Sequence, residues 1–225
     1  MASAAQPAPE GPGLVTAARE RLAAATRDLL DAVLSVDGDD AVLAAAATET
    51  EQIVATLRTR GRARAPADSE RRARSHQDYL PRSPLLGSLH PAAVPLAWDM
   101  HDGRFVGHGV LGAAYEGPPG YVHGGWVALM FDEALGVANV ASGFPGMTAR
   151  LTIRYRRPTP LGTELRLEAW TVGRAGRRIT TAGSLSAGDT VCAQAEGLFV
   201  DLSTERALEY FGERPAVADP VDPLP

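Results

Sequence analysis

The sequence predicts an α+β fold: one long, almost wholly apolar helix beside an antiparallel sheet. Three observations carry this. Residues 126–140 are good or tolerable helix formers and nearly all apolar, so no amphipathic stripe forms and the helix is expected to be buried nearly all round. Residues 147–155 alternate strictly, with Met147, Ala149, Leu151, Ile153 and Tyr155 on one side and Thr148, Arg150, Thr152 and Arg154 on the other, as in a strand. Residues 163–172, 177–186 and 190–201 then read as three more strands, with turns at 173–176 and 187–189. No helical segment separates them, so the sheet runs as a meander rather than in parallel.

Taken in order, residues 1–13 are rich in Ala, Pro and Gly and are expected to be disordered. Residues 14–36 follow as a helix with Val15, Leu22, Leu29, Leu30, Val33 and Leu34 toward one side, broken by Asp37-Gly38-Asp39-Asp40. A second helix over residues 40–60 carries Val42, Leu43, Ile53, Val54 and Leu57 and ends before Gly61. So short a connection favours an antiparallel helical hairpin over residues 14–60. Residues 61–94 form a basic, then Pro-rich linker. The basic run from Arg58 to Arg74, with Arg58, Arg60, Arg62, Arg64, Arg71, Arg72 and Arg74, reads as a solvated run rather than a phosphate-binding arm. Residues 95–101 and 104–115 are two strands joined at Asp102-Gly103. The 203–225 tail ends in a Pro-rich acidic stretch.

The 225 residues, 45% of them hydrophobic, suffice for one domain with added elements. With 22 basic and 27 acidic side chains the formal charge is −5, which gives no support for nucleic-acid binding. No apolar run approaches membrane-spanning length, and residues 1–13 lack the basic start and apolar core of a secretory signal. The single cysteine, Cys192, excludes an internal disulfide and reads as a small buried strand residue. A cytoplasmic protein is expected. His76, His90, His101 and His108 show no ligand spacing for zinc. Gly107-His108-Gly109-Val110-Leu111-Gly112 matches a dinucleotide glycine pattern, but a Pro/Gly turn follows where a helix would be needed.

Chemistry concentrates around the apolar helix. Glu116-Gly117-Pro118-Pro119-Gly120-Tyr121-Val122 is a rigid lead-in that delivers His123, Gly124 and Gly125 to the helix start. Free N–H groups and the positive dipole end there suit an oxygen that gains negative charge, and the glycines let it come close. Asp132 and Glu133 alone break the apolar run. A carboxylate in such a helix has either a structural partner or a task. Asp132 has small neighbours along its face, Gly125, Ala128 and Gly136, which leaves room for a ligand. His123 and Asp132 are nine residues apart, roughly 13.5 Å along the axis, so one helix cannot aim both at one carbon. A composite site across a two-fold axis would bring them together and makes a homodimer part of the expectation. Arg154, Arg156, Arg157 and Arg174 are candidates for holding phosphate.

His123-Gly124-Gly125 with Asp132 and Gly136, preceded by Glu116-Gly117-Pro118-Pro119-Gly120-Tyr121 and followed by Thr148-Ala149-Arg150-Leu151-Thr152-Ile153-Arg154-Tyr155-Arg156-Arg157-Pro158, resembles the hotdog-fold acyl-CoA thioesterases. Within them it is most similar to the branch of the phenylacetate-pathway thioesterase and thioesterase superfamily members four and five. The resemblance covers about residues 95–202. It implies an antiparallel sheet wrapped around one long central helix, pairing into a dimer and often a tetramer. It also implies hydrolysis of a coenzyme A thioester without metal or covalently bound cofactor. By position, Asp132 is the catalytic carboxylate, Gly124 offers the N–H that polarises the carbonyl, His123 shapes that end, and the Thr148 hydroxyl positions water. Several relatives carry asparagine six residues before the histidine, where this chain has Gly117. Two other readings stand beside hydrolysis. One is a hydroxyacyl-thioester dehydratase pairing His123 with Glu133, and the other is an acyl-CoA sensor that binds without turnover.

Overall fold

A computed structural model describes residues 17–61 and 80–201. The expected disordered start, the arginines at 62–74 and the C-terminal tail lie outside these residues. The described residues fall into two compact units: residues 17–61, 80–95 and Leu111–Ala114 form one, and Leu96–Val110 with residues 115–201 form the other.

The first unit holds helices α1 (Ala17–Ser35) and α2 (Asp40–Arg60). α2 starts where the Asp39 side chain accepts from Val42 N and ends with Gly61 N–H donating to Leu57 O. Asp40 in its first turn and Arg58 and Arg60 in its last complement the helix dipole. On α1, Ala23, Arg27 and Asp31 share one face. Ala23 is buried, Arg27 donates to the carbonyls of Ala93 and His90 at 3.1 Å each, and Asp31 accepts from Ala113 N at 2.9 Å. The two helices of the N-terminal helical region form as expected. The α1 face that docks is the polar one. The apolar residues Leu22, Leu29, Val33 and Leu34 stay exposed, and α2 has no buried residue at all.

The second unit is a six-stranded antiparallel sheet around one helix. Its strands are β1 (Leu96–His101), β2 (Arg104–Val110), β3 (Gly146–Tyr155), β4 (Glu164–Ala175), β5 (Arg178–Ala187) and β6 (Thr190–Asp201), in the order β1-β2-β4-β5-β6-β3. Helix α3 (Gly124–Ala141) lies between β2 and β3 in the chain and packs on β2 through β6. The β1–β2 turn has Asp102 at φ 49° and Gly103 at φ 72°, the left-handed pair that an Asp-Gly hairpin turn requires. β2 is shorter than expected: it ends at Val110, and residues Ala113–Tyr115 make a 3₁₀ turn instead.

Alternation in β4, β5 and β6 sends Leu165, Leu167 and Ala169, Ile179 and Leu185, and Ala193, Ala195 and Phe199 inward. They meet Val127, Met130, Phe131, Ala134, Leu135 and Ala138 of α3, all buried. Each large side chain buried this way contributes about 1.5–3 kcal/mol. Gly183 makes room for the helix: a Cβ there would stand 2.7 Å from Glu168 O and 3.2 Å from the Phe131 ring. Cys192 is buried, as its setting implied.

The strict alternation expected for β3 does not hold. Against β6, Thr148 pairs with Phe199 and Arg150 with Leu198, so Ala149 is an extra residue in a β-bulge. The bulge resets the phase of the strand. Thr148, expected on the outer polar face with the arginines, is turned instead toward α3.

Candidate active site

The helix start is held from several directions. His123 N donates to Tyr115 O at 2.9 Å and Val122 N to Thr159 O at 2.8 Å. Upstream, Gly117 N donates to Tyr121 O at 2.9 Å, and the Glu116 carboxylate accepts from Gly120 N at 2.7 Å. Gly120 stands at φ 80°, so the turn needs a residue free of Cβ strain. The Tyr115 and Trp126 rings meet edge-on at 5.1 Å, fixing the first helical turn to the lead-in.

His123 is the N-cap of α3, in extended conformation. Its Nδ1 accepts from Gly125 N at 2.9 Å, which requires a neutral ring with the proton on Nε2. The histidine therefore takes up one free N–H of the helix start, and Gly125 does not offer it to a ligand. Gly124 differs: its N–H has no acceptor among the described residues, while its carbonyl accepts from the Tyr155 hydroxyl at 2.9 Å. Tyr155 was not singled out by the sequence. As the last residue of an alternating strand it gave no sign that it would reach 31 positions back to orient the first helical peptide.

Two turns along α3, Asp132 is half-buried and accepts from the Thr148 hydroxyl at 2.8 Å. Two of the sequence candidates are thus in direct contact, through the bulge. The bond occupies Oδ1 and leaves Oδ2 for another partner. One turn on, a Cβ on Gly136 would meet the buried Phe199 ring at 3.9 Å, an ordinary van der Waals contact. Gly124 and Asp132 are eight residues apart, about 12 Å of helix rise. A single chain does not bring them to one atom. The same holds for His123 and Glu133, the pair a dehydratase would use.

The arginines divide. Arg174 pairs with Asp201 and lies over the Phe144 ring, 5.3 Å from its centroid, so it is committed to the fold. Arg154 is exposed. Arg156 donates to Gln194 Oε1 at 3.1 Å, and Arg157 lines an open cavity of about 430 Å³ with Tyr121, Pro160 and Thr190. Among the described residues no three His, Cys, Asp or Glu side chains gather as a metal ion would need. None of the described helices is long and apolar enough to cross a membrane.

The sequence profile of the Thioesterase superfamily matches residues 119–194, which contain the His123–Thr148 constellation. Acyl-coenzyme A thioesterase THEM4 of Xenopus laevis is 34% identical over 93 residues, 40% of this chain and 42% of that protein. The THEM4 of Bos taurus is 34% identical over 98 residues, 43% of this chain and 40% of that one. The match thus spans about two fifths of the length of these relatives. A crystal structure of a thioesterase superfamily protein is 36% identical, with a TM-score of 0.72 over 85% of this chain and 94% of the other. With the six-stranded antiparallel sheet around α3, these findings assign a hotdog fold, and the chain belongs to the thioesterase superfamily.

Proposed function

We propose that this protein hydrolyses an acyl-CoA thioester to the free acid and CoA. The observation that carries the reading is the Asp132–Thr148 contact. A carboxylate fixed at one oxygen by a hydroxyl presents the other in a defined direction.

In this mechanism the Gly124 N–H and the helix dipole draw charge onto the thioester oxygen as the carbonyl carbon becomes tetrahedral. Tyr155 holds that peptide in place from the carbonyl side. His123 caps the turn and keeps Gly125 close without a side chain in the way. Asp132 takes a proton from water as the water oxygen bonds to the carbonyl carbon. The C–S bond then breaks, and the proton passes to the departing thiolate. Thr148 orients the carboxylate. Because Gly124 and Asp132 of one chain stand about 12 Å apart along the helix, the reacting carbon lies between Gly124 of one copy and Asp132 of another. The working unit is a homodimer, in a cytoplasmic protein that needs no metal or prosthetic group, with CoA entering only as part of the substrate. Arg154, Arg156 and Arg157 are assigned to its phosphates, as guanidinium groups suit that geometry.

The test is free-thiol release from short, aromatic and long acyl-CoA substrates, comparing the wild type with Asp132→Asn. Asparagine keeps the size and an oxygen for Thr148, so a folded, dimeric variant losing about 10²-fold or more in turnover supports the assignment. Equal turnover in both would remove Asp132 from the chemistry. Tight binding without turnover in the wild type would make the protein a sensor. Single turnover in ¹⁸O-water separates the routes: label in the acid alone supports general-base action, and label on Asp132 would show direct attack.

A further inference from the structure

We propose that Asp31 of α1 is a positioning residue for the start of α3, acting through residues 113–115. Asp31 Oδ1 accepts from Ala113 N at 2.9 Å, across 82 positions of sequence. Ala113 opens the 3₁₀ turn Ala113–Tyr115, so the carboxylate satisfies a donor that the turn itself leaves free. Tyr115, the last residue of that turn, meets the start of α3 at two points. Its carbonyl accepts from His123 N at 2.9 Å, and its ring stands edge-on to Trp126 at 5.1 Å. Gly124, whose N–H the proposed mechanism uses, lies between those two points in the chain.

The residues on both sides of the Asp31–Ala113 bond are matched to it. Around a Cβ placed at Gly112, the three nearest heavy atoms would all belong to the Asp31 carboxyl, with Oδ1 well inside contact distance. Gly112 is not at positive φ, so the carboxylate and not the backbone conformation calls for glycine there. On the helix side, Arg27 lies one turn before Asp31 on the same face and donates to Ala93 O and His90 O at 3.1 Å each. That fork fixes the register of α1 and with it the height at which Asp31 is presented. The stretch between the bond and the helix start is short and packed at both ends, with Leu111 0% and Tyr115 4% exposed. Close-packed segments transmit a displacement instead of absorbing it. Losing the acceptor at Asp31 therefore shifts the Tyr115 carbonyl, and the His123 and Gly124 N–H groups follow.

The effect on turnover rests on the hydrolase reading of the helix start, while the order of that helix start does not, so both are measured in the full chain. Asp31→Ala should lower kcat for acyl-CoA thiol release about tenfold with KM held within about twofold. It should also speed amide hydrogen exchange at His123 about tenfold, with the β4 and β5 amides unchanged. Asp31→Asn keeps an acceptor oxygen and should restore most of both. Gly112→Ala displaces the carboxylate and should reproduce the loss in the wild type, yet add little to Asp31→Ala, where the clash is gone. Full additivity of the two would overturn the proposal, since it would mean that they act separately. Circular dichroism checks folding, and Gly112→Ala tests the contact even if Asp31→Ala does not fold. Unchanged exchange at His123, or equal acceleration throughout the sheet, would overturn the positioning role. Faster exchange at His123 with unchanged kcat would overturn its part in turnover. A wild type that releases no thiol from any acyl-CoA would sink the hydrolase reading, and exchange at His123 would then decide the positioning role alone.

Discussion

Gly117→Ala is a sharp probe of the helix start. A Cβ at residue 117 would stand 2.7 Å from His123 Cα, 3.0 Å from its Cβ and 3.1 Å from its Cδ2. Relaxed carbon–carbon contacts are about 3.5–4.0 Å, so the two backbones must part by roughly 1 Å. The 117 side is tied by the Gly117–Tyr121 bond and the 123 side by the His123–Tyr115 and Val122–Thr159 bonds. Gly117 is not at positive φ, so the effect is steric and not one of backbone conformation. Overpacking of this kind costs about 1–3 kcal/mol. Displacing the Gly124 N–H by up to about 1 Å lowers turnover by an order of about 10²-fold. The assay is thiol release with kcat and KM resolved, beside a thermal melt. The loss should fall on kcat, because an interaction formed in the transition state is weakened. Unchanged kcat with a lowered Tm would refute the role of the helix start while leaving the steric argument intact. Unchanged values of both would refute the whole chain of reasoning.

Thr148→Val removes the hydroxyl that holds Asp132 at nearly constant volume, and kcat should fall about tenfold, about 1.4 kcal/mol, while Thr148→Ser retains most of it. Little change in stability is expected, since water reaches the half-buried Asp132. Tyr155→Phe breaks the bond to Gly124 O and should lower kcat several-fold with KM little changed; an equal rise in KM alone would show that Tyr155 serves binding only. Gly136→Ala places a Cβ in ordinary contact with the Phe199 ring, at 3.9 Å, and should raise stability by about 0.5–1 kcal/mol on helix propensity. If the acyl group lies there, kcat/KM should fall for bulky acyl-CoA substrates and hold for short ones; a uniform response across the panel would place the acyl group elsewhere.

The sequence carried the central helix, the strand meander and the turn at Asp102-Gly103, because each rests on local pattern. Apolar saturation marks a buried helix, period two marks a strand, and an Asp-Gly pair marks a tight hairpin. What it did not carry was set by contacts distant in the chain. The bulge at Ala149 has no glycine to announce it, and it reverses the side on which Thr148 falls. β2 stops at Val110, and the Ala113 N–H beyond it is used by Asp31, 82 residues earlier. The anchoring of the first helix is likewise set by distant contacts. Arg27 and Asp31 tie α1 to backbone groups of residues 90–93 and 113, which no local pattern announces.

The position of Asp132 on a rigid buried helix decides more than its chemistry. Helix α3 is clamped on five strands and carries its N–H donor and its carboxylate at a fixed separation of about two turns. Small motions do not close that gap, because the core residues between them, Val127, Met130 and Phe131, are packed against the sheet. A ligand touching both groups of one chain would have to lie along the helix, with its reacting carbon at one end only. Hydrolysis needs donor and base on the same carbon. Under the proposed mechanism one chain would therefore supply half of each of two sites, which an antiparallel meeting of two α3 helices would complete.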